Sequence, residues 1–301
     1  MSLFLIFPLL FLPIGLIFAG LLLLRWRDRQ DARRLPVDSK QLPNQAGAQI
    51  RQRLEAVSDD YWSVSALAFF IGPMMPLAIL VLEARKKAPE VFDIGAGSIA
   101  AYLVMLLGGV AVLLWQTRRH VLVMRRCREG LAAELATADG LQQLVPDGLM
   151  LFHDLPADGF NIDHVVVGHS VVFAVETKSR KKPAKGGKDS AKVRYDGKAL
   201  KFPEHIETKP LEQAARQARW LAEFLTGATG NPVRVVPVLA LPGWYVELTA
   251  SLPTSSNDVR VVNPKAASFM RTVNFGPRFE DDQRRRIAWA LTKRYDDVAE
   301  D

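Results

Sequence analysis

Residues 171–178, read as VVFAVETK, constrain the chain more than any other stretch. β-Branched and aromatic side chains in an unbroken run favour a strand buried on both faces. Yet the run ends in two charges, Glu176 and Lys178. Side chains two apart on a strand share a face, so the carboxylate and the amine lie side by side. Charges held at the end of a buried strand are costly unless something engages them. A divalent cation on the carboxylate, with a water or phosphate beside the lysine, is one such use. Asp163 heads the preceding apolar stretch, NIDHVVVG, and a tight Gly168-His169-Ser170 link makes the two strands a hairpin. The second oxygen ligand would then come from Asp163.

Acid-x-Lys tripeptides also arise by chance, and this chain supplies controls. Asp38-Ser-Lys40 lies in a linker, Asp196-Gly-Lys198 in a turn, and Glu207-Thr-Lys209 in a polar stretch. Only Glu176-Thr-Lys178 closes an apolar strand and follows an Asp-headed one. On spacing alone it reads equally well as a strand-end ion pair.

Upstream, three apolar runs suggest a membrane anchor. Residues 2–24, 63–82 and 98–116 are each long enough to cross a bilayer and carry no Asp, Glu, Lys, Arg or His. Trp26, Tyr61, Trp62 and Trp115 stand near their ends, where interfacial aromatics belong. Basic clusters follow the first and third runs. They predict a multi-pass protein of the inner (plasma) membrane, with its N-terminus outside, loop 25–62 inside and everything after the third run cytoplasmic. Without charges in the runs, a transporter or channel is disfavoured. The expected organisation is therefore a three-helix anchor over 1–117, in contact with the lipid bilayer, and a cytoplasmic domain over 118–301. Inside the loop, Ile50, Leu54 and Val57 stand at helical spacing and predict a short amphipathic helix.

The later part predicts a mixed α/β domain with helices on both sides of one central sheet. A helix that continues the third apolar run through Arg128 to Ala138, with Asp139-Gly140 as its stop, carries Glu134. Strands follow over 149–153, 163–168 and 171–178. After them come a polar loop, a hairpin around Asp196-Gly197, an amphipathic helix over 210–225, strands over 233–241 and 259–262, and a closing helix over 281–295. The loop holds Lys181, Lys182, Lys185, Lys188 and Lys192, a solvated stretch or a track for a polyanion. The formal net charge of +7 suits nucleic acid or anionic lipid and does not separate them. One cysteine, Cys127, excludes an internal disulfide.

The stretch GFNIDHVVVGHSVVFAVETKSR resembles the core of the nuclease-related domain (NERD), a branch of the PD-(D/E)xK restriction-endonuclease-like superfamily. A preceding helix with Glu134 and a later glutamine-bearing helix, LEQAARQARWLAEFL, are similar to that family as well. The resemblance covers roughly residues 127–262. It implies a restriction-endonuclease-like mixed sheet flanked by helices and a metal-dependent nuclease acting on DNA or RNA. Asp163, Glu176 and the carbonyl of Thr177 would hold Mg²⁺ or Mn²⁺, with no organic cofactor. Lys178 would orient a water or stabilise developing charge. Glu134 would be a further ligand through water, and Gln213, with Gln217 second to it, would orient phosphate or a ligand. The alternative is a catalytically inactive tethered module that keeps the fold and binds nucleic acid or a protein.

Overall fold

The computed structural model describes residues 45–58, 96–183, 187–249 and 255–299. Helix α1 covers residues 48–58 and α2 runs from Ala96 to Gln142. Three strands follow: β1 (Met150–Pro156), β2 (Asn161–Val167) and β3 (Val172–Thr177). Next come β4 (Lys192–Tyr195), β5 (Leu200–Lys201), β6 (Ile206–Glu207) and α3 (Lys209–Thr229). The chain then forms β7 (Val235–Ala240), β8 (Tyr245–Leu248), β9 (Arg260–Val262), α4 (Phe269–Thr272) and α5 (Asp281–Ala299).

The first sheet has the order β1-β2-β3-β7-β9. Strands β1, β2 and β3 pair antiparallel, while β3–β7 and β7–β9 are parallel. Every residue of β3 and β7 is buried. Their unbroken apolar runs place them at the centre, because a parallel strand needs cover on both faces. Alternation then distributes the side chains. On one face Val165, Val167, Val172 and Ala174 pack against Ala218, Leu221 and Leu225 of α3 and Ile287 and Leu291 of α5. On the other, Val166, Phe173, Val175 and Val238 pack against Leu141, Leu144, Ala267 and Met270. Helix α3 has Pro210 in its first turn and ends at Gly230, whose φ of 72° suits a residue without Cβ.

Two features differ from the sequence reading. First, there are two sheets rather than one. Strands β4, β5 and β6 join β8 in a second sheet of order β6-β5-β4-β8. Tyr245–Leu248 pairs parallel with Lys192–Tyr195. It carries no buried position, so no apolar alternation marked it as a strand. Trp244, Leu241 and Leu239 bury against Val193, Tyr195 and Leu200 and hold this sheet to the first.

Second, among the described residues no helix is long and apolar enough to cross a membrane. This overturns the expectation of three transmembrane helices and the inner-membrane location, with an outside N-terminus, that was built on it. Residues 2–24 and 63–82 lie outside the described residues. The third run, 98–116, is the opening part of α2. That helix continues without a break through Arg118, Arg119 and Arg125 to Gln142. Its last turns pack on the sheet domain through Leu141, and Gly140 lies so close to Pro264 that a Cβ there would meet it at 2.8 Å. The expected continuation of this run into a helix through Arg128 to Ala138 is present, and the helix ends a few residues later, at Gln142. Residues 45–58 fall in the same compact unit as the sheets.

Candidate active site

The site grows out of the β2–β3 hairpin. Gly168 opens its turn and donates its N–H to the Val171 carbonyl at 2.9 Å. A Cβ at Gly168 would lie 2.8 Å from that carbonyl oxygen, so the turn requires glycine. The register pairs His164 with Val175, Val165 with Ala174 and Val166 with Phe173. One step further along the ladder, Asp163 stands opposite Glu176, on the same face. On the outer side β1 pairs His153 with His164 and Leu155 with Ile162, which sets Asp154 opposite Asp163. Three neighbouring strands thus contribute a row of carboxylates: Asp154, Asp163 and Glu176.

Alternation also decides what covers the row. Glu176 lies two residues beyond Ala174, on the face packed by α3. Gln213 and Gln217, one helical turn apart, reach down to it. Glu176 is 2% exposed. Its Oε1 accepts from Gln213 Nε2 at 2.8 Å and from Lys178 Nζ in a short ion pair. Its Oε2 accepts from Gln217 Nε2 at 2.6 Å. The same Gln217 nitrogen donates to the Asn161 carbonyl at 3.2 Å. Asp163 Oδ2 accepts from the Thr177 N–H at 2.6 Å.

Burial, then the charges of Glu176 and Glu134, hold the Asp163 carboxyl well above the usual range, against the pull of the Thr177 N–H and Lys178. Glu134, projecting from α2, is pushed up to about 7 by burial first and then by Asp154 and Glu176, with Lys178 opposing. The structure therefore gathers Glu134, Asp163, Glu176, Lys178, Gln213 and Gln217 into one electrostatically coupled site. On the opposite face, the His153 and His164 rings meet at 2.7 Å between their Nδ1 atoms. Burial drives His164 down to about 3, so it is a neutral packing partner rather than a base.

The lysines of the loop are spread differently. Lys181 pairs with Glu129 at 2.9 Å, Lys192 with Asp189 at 3.0 Å, and Lys182 stands 5.9 Å over the Trp244 ring. Lys185, and the side chain of Lys188, lie outside the described residues. Sequence reasoning missed Asp154 and Asn161. Asp154 lies in a strand with no motif around it, and only the ladder shows that it faces Asp163.

A hard divalent cation takes oxygen donors, and these carboxylates offer them. The upward push on Asp163 and Glu134 comes first from burial and then from neighbouring carboxylates, and a cation would relieve the second part. Gln217 Oε1 is buried beside Glu176 without a protein partner. On these grounds the residues fit such an ion. Among the described residues, however, no three His, Cys, Asp or Glu side chains are gathered as a ready-made metal cluster. A main-chain oxygen such as that of Thr177 would have to complete the set.

The family model of the nuclease-related domain matches residues 129–242. This stretch is a nuclease-related domain. It starts just before Glu134 on α2 and ends after β7, so it contains every carboxylate and glutamine of the site. Helix α1 and the elements from β8 onward lie outside the nuclease-related domain. Neither a curated protein nor a solved structure matches the chain.

Proposed function

We propose that this chain is a metal-dependent nuclease that hydrolyses phosphodiester bonds of DNA. The observation that carries the reading is the cross-strand opposition of Asp163 and Glu176, with Lys178 alongside, inside a nuclease-related domain. Asp163, Glu176 and the Thr177 carbonyl would hold Mg²⁺ or Mn²⁺. A bound ion supplies positive charge that polarises phosphate oxygens and makes water more acidic.

The protein groups around it have separate tasks. Gln213 and Gln217 each donate to a different oxygen of Glu176 and so fix the plane of its carboxylate. Lys178 brings a cation to the point where negative charge develops on the phosphate. Glu134, whose carboxyl is pushed up to about 7 chiefly by burial, would take up or release a proton at physiological pH. Lys182, which stands over the Trp244 ring, offers a backbone phosphate a cationic contact.

The full-length chain should cut DNA with Mg²⁺ and stop with EDTA. Glu176→Ala and Lys178→Ala should each lower kcat by roughly 10²-fold or more while leaving the fold intact. Cleavage that survives both changes would refute the assignment. A second reading is a binding module without catalysis. It is favoured by the full engagement of both Glu176 oxygens within the protein. That reading predicts DNA affinity unchanged by EDTA and by Asp163→Ala.

A further inference from the structure

Asp154 is the only non-glycine residue with positive φ among the described residues, at 52°. A left-handed backbone is uncommon at a non-glycine residue and persists where neighbours hold it. Two donors hold this one. Asn161 Nδ2 reaches Asp154 Oδ1 at 3.0 Å, and the Gln49 N–H reaches Oδ2 at 2.8 Å. The second donor belongs to the first turn of α1, more than one hundred residues earlier and outside the nuclease-related domain.

The turn before α1 is shaped for the same place. Gly47 has φ 72°, and a Cβ on it would lie 2.3 Å from Leu131 Cδ1 and 3.4 Å from Glu134 Oε2. The Gly47 backbone therefore lies directly against the α2 turn that presents Glu134. A Cβ on Gly130 would meet Ile50 Cδ1 at 3.2 Å, so Ile50 of α1 packs over Gly130 of α2. Arg51 folds back to Gln45 Oε1 at 2.9 Å and the Ala46 carbonyl at 3.3 Å, which locks the turn. From there the hydrogen bonds are continuous. Gln49 donates to Asp154, Asn161 donates to Asp154, and Gln217 links the Asn161 carbonyl to Glu176.

We propose that residues 45–58 are a positioning element of the carboxylate site. Docked, they seat Glu134 through Gly47 and hold the strained Asp154, which steadies Glu176 through Asn161 and Gln217. Asp154 is thus a positioning residue that acts through other side chains. The inference rests on the nuclease reading above and adds to it a segment that the domain match does not include.

Gly47→Val, Asp154→Ala and Asp154→Asn in the full-length chain test it. The readouts are DNA cleavage with Mg²⁺, calorimetric Mn²⁺ affinity and amide exchange over residues 45–58 and 150–163. Gly47→Val should speed exchange in residues 45–58, lower kcat about tenfold or more, and leave KM within roughly twofold. Asp154→Ala should lose Mn²⁺ affinity and kcat to a similar degree. Asparagine tolerates the left-handed conformation and keeps one acceptor, so Asp154→Asn should recover most of the loss. Undocking of residues 45–58 with unchanged kcat and Mn²⁺ affinity would overturn the proposal. So would an Asp154→Asn variant no better than Asp154→Ala, a comparison that stands even if Gly47→Val fails to fold. A wild-type chain that neither binds Mn²⁺ nor cuts DNA would instead sink the nuclease reading, and this one with it.

Discussion

Glu134 carries a carboxyl whose surroundings work against the stability of the fold. Its carboxyl rises from an ordinary 4.5 to about 7 in the folded chain. A carboxyl raised on folding binds more protons folded than unfolded between those two values. The folded state therefore gains stability as pH falls from 7 to 4.5 and carries a full penalty above 7. Glu134→Gln should stabilise the metal-free protein by about 1–2 kcal/mol at pH 8, after discounting for partial exposure. That advantage should fade as the pH falls through 7 and vanish near 4.5. Thermal unfolding in EDTA across this range checks it. A flat difference between the two proteins would mean that Glu134 is not under electrostatic strain. Asp163, Glu176, Lys178 and Gln213 were legible in the sequence because charges and amides at strand ends and on an amphipathic helix stand out from apolar neighbours. Asp154 was not, since its role depends on cross-strand register and on a backbone conformation that no residue pattern encodes.

The β2–β3 hairpin sets the register on which the site depends, and its turn is its weak point. With the Val171 carbonyl 2.8 Å from where a Cβ would sit, Gly168→Ala must push the turn open. The expected cost is about 1–3 kcal/mol, as for other overpacked positions. A chemical denaturation midpoint measures it, and a loss of cleavage should accompany it because Asp163 and Glu176 no longer face each other squarely. An alanine variant as stable and active as the parent would show that the register tolerates a looser turn. Buried apolar runs made β3, β7 and α3 readable in advance. Strand β8 escaped because its four residues are all at least partly exposed and its partner β4 lies some fifty residues back. The run at 98–116 misled for a different reason: its apolar residues suggested a span, while the continuation of the same helix past Arg128 was readable and the helix ends at Gln142.

Across the chain, 39 basic residues against 32 acidic ones leave a net charge of +7. If that excess meets a phosphate backbone, binding releases counterions and weakens steeply with salt. DNA affinity of the Glu176→Ala variant, which removes cleavage from the measurement, should fall roughly tenfold or more between 50 and 200 mM salt. A salt-independent affinity would show that the basic surface does not hold the substrate. Several of these charges are already matched within the protein, as in Arg180 with Glu207 at 2.8 Å and Arg294 with Asp158 at 2.7 Å. Net charge alone therefore could not point to the surface used.

The nuclease reading turns on whether the opposed carboxylates of β2 and β3 take up a divalent ion. Titration of Mn²⁺ into the metal-free full-length protein, followed by calorimetry, addresses that step without requiring catalysis. The result expected is saturable binding by the parent chain that is lost, or weakened by roughly a hundredfold, in both Asp163→Ala and Glu176→Ala. Binding of equal strength in all three proteins, or none in the parent, would contradict it.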